Sequence, residues 1–233
     1  MADKAWLRIE DNHPMTQPRD WYPALPAQKV SASSAVTAVQ VRGQDLALWR
    51  SASGTIQAWE DRCPHRGVAL SLGRVLGDRL ACAYHGWEYA EGSGQCVAIP
   101  AMPHQPVPGK VCVKTYAAVE RQGMVWVALD GQAPAPADDP AGVAPPRFLR
   151  SMAVATSSAT VDARLTAQAF APAGPWQWHG RWAGHVLHLW VLDAAADGSV
   201  LHVASEAPPS NAATGALFNA LRLLRERIEH PRS

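Results

Sequence analysis

Neither sign of charge dominates this chain: 21 Lys and Arg stand against 20 Asp and Glu, a formal net charge of +1. That balance gives no basis for nucleic-acid binding or for a polybasic membrane patch. Long apolar runs are missing as well. The longest candidate, Val186–Leu192, is interrupted by His188 and falls far short of the ~20 residues of a membrane helix. Met1–Glu10 carries Asp3, Lys4, Arg8 and Glu10 where a secretory leader would have an apolar stretch, so a cytoplasmic location is expected. Cysteine is scarce, with only Cys63, Cys82, Cys96 and Cys112 in 233 residues, which does not suggest a disulfide scaffold. Metal or redox chemistry is the better use of any cysteine that has histidine nearby. A hydrophobic content of 48% with 18% charged residues excludes a disordered chain, and the length suits one large domain or two small ones.

Proline marks the organisation. Residues 131–146 read GQAPAPADDPAGVAPP, with five prolines and five alanines in sixteen positions. No strand or helix survives that density of proline, so this segment is expected to be a linker between domain 1–130 and domain 147–233. The first domain is rich in short β-like runs, at 36–41, 45–50, 55–59, 96–100, 111–117 and 124–129, punctuated by Gly43, Gly54, Gly77, Gly94 and Gly123. That pattern predicts a small antiparallel sandwich or barrel without a strong helix. In the second domain 148–155, 159–169, 182–193 and 199–206 read as longer strands, the last two joined at Asp197-Gly198. Ser210 then reads as a helix N-cap, and Leu217, Leu221, Leu224 and Ile228 form one apolar stripe. The second domain is therefore expected to be α+β, an antiparallel sheet closed by a C-terminal helix.

The informative residues are Cys63-Pro64-His65 and Cys82-Ala83-Tyr84-His85. Each segment contributes one thiolate and one imidazole from a tight loop. A tetrahedral Cys₂His₂ zinc site is one use of four such ligands, although C-x-H fits common zinc spacings poorly. A Rieske [2Fe–2S] cluster is the other, with two thiolates on one iron and two histidines on the second. Cys96 and Cys112 fall outside both loops and read as buried, inert thiols.

CPHRG at 63–67, LSLGR at 70–74 and CAYHGW at 82–87, with Trp21-Tyr22-Pro23, Gly94–Pro100 and Gly123–Leu129, resemble the Rieske domain of Rieske non-haem iron oxygenase α subunits over about residues 15–130. The resemblance implies that Cys63 and Cys82 hold the ferric iron. It implies that His65 and His85 hold the iron that takes the electron, with their free nitrogens at the surface. High-potential Rieske proteins of quinol-oxidising complexes resemble CTHLGC…CPCHGS. Here Val68 and Tyr84 replace their extra cysteines, and Trp87 replaces a serine that donates to a sulfide. Fewer donors to sulfur imply a low potential, near the bottom of the roughly −150 to +300 mV Rieske range.

Members of that family carry a helix-grip domain with a mononuclear iron on two histidines and a carboxylate. Past residue 146 only His179, His185, His188, His202 and His230 remain. His179 and His185 have a tolerable spacing but no acidic residue in the ten positions before His179, and Asp193, Glu226 or Glu229 would have to supply the carboxylate. On a strand, His185 and His188 point to opposite faces. The second domain therefore reads as a truncated helix-grip-like sheet with its closing helix, and no mononuclear Fe(II) is expected in this chain. The expected role is electron transfer: electrons arrive from a ferredoxin or flavin reductase and leave for a mononuclear-iron site in a second oxygenase subunit. A homo-oligomer, a trimer by resemblance, is the other expected assembly. The alternatives are a complete small hydroxylase or demethylase with an atypical iron site, and a non-catalytic structural subunit. Trp176, Trp178, Trp182 and Trp190 read as core filling.

Overall fold

The computed structural model describes residues 20–30, 35–107, 109–130, 134–139, 141–207 and 209–230. The expectation for Met1–Glu10 and part of that for 131–146 lie outside the described residues. The described residues form two compact units, one within Ala24–Pro136 and one within 137–230 together with residues 20–23.

The strands run in chain order as β1 (Trp21–Pro26), β2 (Thr37–Val41), β3 (Gln44–Arg50), β4 (Ile56–Glu60), β5 (Arg74–Leu76), β6 (Arg79–Ala81), β7 (Glu88–Ala90), β8 (Cys96–Ala98), β9 (Thr115–Arg121) and β10 (Met124–Ala128). They build a six-stranded sheet, ordered β1-β10-β9-β4-β3-β2, and a four-stranded sheet, ordered β5-β6-β7-β8. Apart from 3₁₀ turns at Ala27–Lys29 and Leu70–Leu72, the described part of this unit holds no helix, as the glycine-punctuated β runs require. Trp49 and Trp59 sit fully buried on adjacent strands, ring edge to ring face with centroids 4.9 Å apart. Around them pack Ala47, Leu70, Leu80, Tyr89, Ile99 and Val113, and with them Cys63, Cys82 and Cys96. The thiols of the two Cys/His segments are thus part of the hydrophobic core.

The second unit is a five-stranded antiparallel sheet of β11 (Arg147–Val154), β12 (Ala171–Gly174), β13 (Gln177–Trp182), β14 (His185–Ala195) and β15 (Gly198–Ser205), ordered β11-β15-β14-β13-β12. Two helices pack on it, α1 (Ser158–Ala167) and α2 (Asn211–Glu229). This is the reduced helix-grip-like α+β architecture expected. Residues 159–169, read as a strand, are helical instead. Ser157 caps α1 by accepting the Thr160 N–H at 3.3 Å, and Val161 and Leu165 bury one helical turn apart. Asp162, also buried, accepts from Trp178 Nε1 at 3.2 Å. The alternating polarity of this segment fitted either period, and the sheet beneath selected the helical one. A tight turn at Ala183-Gly184 separates β13 from β14, so the single strand expected over 182–193 starts late. The β14–β15 turn centres on Ala196-Asp197, one residue before the expected pair.

Helix α2 starts at its expected cap, with the Ser210 hydroxyl accepting from Ala213 N–H, and buries Leu217, Leu221, Leu224 and Ile228. Trp182 anchors it by donating Nε1 to the Ala220 carbonyl at 2.9 Å. Trp176, Trp178 and Trp190 are buried, so core filling is their role. Arg227 lies over the Trp182 ring at 5.3 Å.

Candidate metal centre

Two loops with the same hydrogen-bond design present the Cys/His residues. The first follows β4. Its Cys63 N–H donates to the Val68 carbonyl and its Gly67 N–H donates to the Cys63 carbonyl, both at 2.8 Å. The second closes the β6–β7 hairpin, in which Ala81 pairs with Glu88. Its Cys82 N–H donates to the Trp87 carbonyl at 2.9 Å, and Gly86 N–H donates to the Cys82 carbonyl at 3.0 Å. Each loop thus reads Cys-x-x-x-Gly-x, and each glycine has positive φ, +74° at Gly67 and +70° at Gly86, where a side chain is strained. The histidine sits two residues after the first cysteine and three after the second. C-x-H and C-x-x-H look unequal in sequence, yet the loops that carry them are equal in backbone.

The loops bring like with like. Cys63 and Cys82 are each 3% exposed and belong to the same buried cluster. His65 and His85 lie at the surface, His85 exposed and His65 half-buried, with Nδ1 atoms 3.2 Å apart. Burial pushes the Cys82 thiol up, against hydrogen bonds from the backbone of Tyr84 and His85 that pull it down. Desolvation and then the neighbouring His85 and Arg66 hold His65 below the usual imidazole value. Two buried sulfurs beside two surface imidazoles, whose Nδ1 atoms face each other, belong to residues that could hold a cluster with one S₂ iron and one N₂ iron. Among the described residues, no group of three or more His, Cys, Asp or Glu side chains is gathered for a single metal ion.

Three aromatic residues support the donors. The Trp87 ring stacks on the His65 ring across the loops, with centroids 4.1 Å apart and planes 8° from parallel. Tyr84, 57% exposed, lies against His85 at 3.8 Å. The Tyr89 hydroxyl is 3.1 Å from Cys63 Sγ. Burial, and then Cys63 itself, push the Tyr89 phenol well above its ordinary value, and toward a deprotonated Cys63 the hydroxyl is the donor of the pair. The serine donor to a sulfide, absent at Trp87, is not replaced by this contact, which reaches the Cys63 sulfur instead. The signal was in the sequence, as the tyrosine of Trp87-Glu88-Tyr89.

A close approach explains the LSLGR segment. A Cβ on Gly73 would lie 2.3 Å from the Ala81 carbonyl oxygen. Ser71 is tied back to Asp61, which accepts from its N–H and its Oγ at 2.6 Å each. The turn at 70–72 therefore lies against the backbone entering Cys82, and Leu70 packs beside both cysteines.

The other expected residues are not brought together. On β13 and β14, His179 faces His188 and Trp182 faces His185. Side chains alternate along a strand, so His179 and His185 stand on opposite faces of the sheet. His188 approaches Glu206, with Nε2 3.4 Å from Oε1. Burial holds His188 below its ordinary pKa, a shift that Glu206 opposes and His179 adds to. Cys96 is buried as expected, but Cys112 is exposed, at a bridge position opposite Gln95.

Two such loops in this β fold fit a Rieske-type iron–sulfur domain, and residues 20–117 match the family described as Rieske [2Fe-2S] domain. The cofactor of this domain is a Rieske [2Fe–2S] cluster, and the chain is a relative of the Rieske oxygenase α subunits. It is 40% identical over 114 residues to Oxidoreductase NdmD of Pseudomonas putida, covering 49% of this chain and 19% of that protein. It is 37% identical over 108 residues to the 3-chlorobenzoate-3,4-dioxygenase oxygenase subunit of Comamonas testosteroni, covering 46% of this chain and 25% of that one. The matches thus span about a quarter or less of these curated relatives. Among solved structures, the Pseudomonas putida CBB5 NdmA QL mutant with caffeine has the same fold, with TM-score 0.69 and 21% identity over 91% of this chain and 80% of that one. Among the described residues no helix is long and apolar enough to cross a membrane.

Proposed function

We propose that Cys63 and Cys82 hold one iron of the Rieske cluster and His65 and His85 the other, and that the chain carries single electrons within an oxygenase system. Electrons arrive from a ferredoxin or flavin reductase and pass on to a mononuclear-iron oxygenase site in another polypeptide. The observation that carries this reading is the pairing, thiol with thiol in the core and imidazole with imidazole at the surface. A mononuclear tetrahedral zinc site would draw all four donors to one point.

When bound, the cluster supplies one-electron chemistry at the protein surface. The chain's own residues do the rest. The core around Leu70, Leu80 and Ile99 keeps water from the two sulfurs. Tyr89 donates a hydrogen bond to Cys63, Trp87 holds the plane of the His65 ring, and the outward edges of the histidines offer a short path to a partner. The domain division proposed is 1–130 for the Rieske domain, 131–146 for the linker and 147–233 for the C-terminal domain, in a cytoplasmic protein that assembles with a second subunit or with itself.

The test is metal and acid-labile sulfide content of anaerobically purified protein. Two irons and two sulfides per chain are expected, lost in Cys63→Ser, Cys82→Ser, His65→Ala and His85→Ala and retained in Cys96→Ser and Cys112→Ser. One zinc without sulfide overturns the cluster. A third iron per chain, retained in His65→Ala, makes the chain an oxygenase in its own right.

A further inference from the structure

Between His65 and Cys82 the chain runs through sixteen residues, and the bonds that close each Cys/His loop lie within that loop. They do not set the distance from one loop to the other. Asp61 directly follows β4 and stands two residues before Cys63. Its backbone is anchored, with Asp61 N–H donating to the Asp45 carbonyl at 3.0 Å. Its Oδ1 accepts from Ser71 N–H and its Oδ2 from Ser71 Oγ, each at 2.6 Å. A carboxylate that spends both oxygens on one residue fixes that residue in orientation as well as in distance, and charge-assisted bonds are roughly twice as strong as neutral ones.

Ser71 is the middle residue of the Leu70–Leu72 turn, which closes with Gly73 N–H donating to the Leu70 carbonyl at 2.8 Å. On one side of Ser71 is Leu70, fully buried in the core that holds Cys63 and Cys82. On the other is Gly73, which has no room for a side chain against the carbonyl of Ala81, the residue before Cys82. Arg74 then pairs with Ala81 across the β5–β6 ladder. A continuous line of contacts thus runs from Asp61 through Ser71 and Gly73 to Ala81. It starts two residues before one cysteine and ends one residue before the other.

We infer that Asp61 is a positioning residue for the cluster, its grip on Ser71 setting the spacing between the two ligand loops. The inference rests on the ligand assignment proposed above. Asp61 is not one of those ligands and acts on them through Ser71. Without the grip the turn is held by the burial of Leu70 alone, and Cys63 and Cys82 lose the fixed separation that a single iron between them needs.

The full-length chain is purified anaerobically, and loss of the cluster's visible absorbance to an iron chelator is timed beside the denaturation midpoint of each variant. Asp61→Ala is expected to speed cluster loss by about tenfold or more. Asp61→Asn still offers a carbonyl to Ser71 N–H and an amide to Ser71 Oγ, and is expected to stay within about twofold of the wild type. Ser71→Ala keeps the N–H bond and falls between. Asp61→Ala with Ser71→Ala is expected to be no worse than Asp61→Ala alone, because the carboxylate acts through the serine. Val125→Ala and Val127→Ala, at fully buried positions of β10, give the cluster loss that follows from lost stability alone. In reduced Asp61→Ala the EPR lines of the remaining cluster are expected to broaden, the mark of unequal loop spacings, and in the β10 variants they stay sharp. Three results overturn the inference: cluster loss no faster than β10 variants of equal midpoint show, additive losses in the double variant, or Asp61→Asn losing its cluster as fast as Asp61→Ala. If Asp61→Ala does not fold, Asp61→Asn and Ser71→Ala decide by the same comparison with the β10 variants. Wild type without iron and sulfide, or a cluster that survives Cys63→Ser or His65→Ala, overturns the ligand assignment and the inference with it.

Discussion

Tyr89 links a core position to a redox property. It is fully buried, it donates to a ligand-candidate sulfur, and a hydrogen bond to a sulfur favours the reduced, more negative state. Tyr89→Phe removes the donor and leaves the ring's packing. The cluster is expected to stay bound while its midpoint potential, read by spectroelectrochemistry, falls by roughly 30–60 mV, equivalent to about 1 kcal/mol for one electron. Trp87 acts on geometry instead. Trp87→Ala takes the stacked plane away from His65, and the expected result is altered histidine hyperfine couplings in pulsed EPR with iron content largely retained. Neither role can be read from the CAYHGW motif. The motif gives residue types, and the stacking partner and the sulfur lie on the other loop.

Glycine 73 shows how an element, rather than a ligand, holds the site. Its φ is ordinary, so it serves close approach: the backbone of the 70–72 turn lies against β6. Gly73→Ala pushes that turn away from the strand that delivers Cys82, and iron and sulfide per chain are expected to drop although no ligand has changed. In the other unit, the sequence of α1 suits a strand because Val161, Ala163, Leu165 and Ala167 alternate with polar residues, although Val161 and Leu165 also lie one helical turn apart. Leu165 is fully buried under it, and Leu165→Ala is expected to cost about 2–5 kcal/mol, read as a lower denaturation midpoint of this unit with the cluster spectrum unchanged.

For the molecule as a whole, His188 predicts a pH response. Its folded pKa lies below the ordinary value of 6.5, so the unfolded chain takes up a proton first. The stability it contributes is full above the unfolded pKa and is lost as pH falls through the depressed folded value. Below about pH 6.5, chemical-denaturation midpoints of the wild type are expected to fall more steeply than those of His188→Gln, the two curves converging above pH 7. Equal slopes would remove His188 as the cause. Because His188 shares a sheet face with His179 and lies near Glu206, while His185 points the other way, this response belongs to the C-terminal sheet and not to the pair His179 and His185.

By itself the sequence determined the class of protein, since two Cys/His segments sixteen residues apart, each with a following glycine, leave few chemistries open. It also determined most β-strands of the first unit and the stripe of α2, because alternation and helical periodicity follow directly from which face is buried. Tertiary structure alone decided three things. It decided the backbone hydrogen bonds that shape the two loops alike and set His65 beside His85, an arrangement the family resemblance implied but no spacing explains. It made a helix of 158–167, where a cap at Ser157 and the burial of Val161 and Leu165 against the sheet outweighed an ambiguous period. And it separated His179 from His185, because cross-strand register, set by turns two residues long, decides which face a side chain occupies.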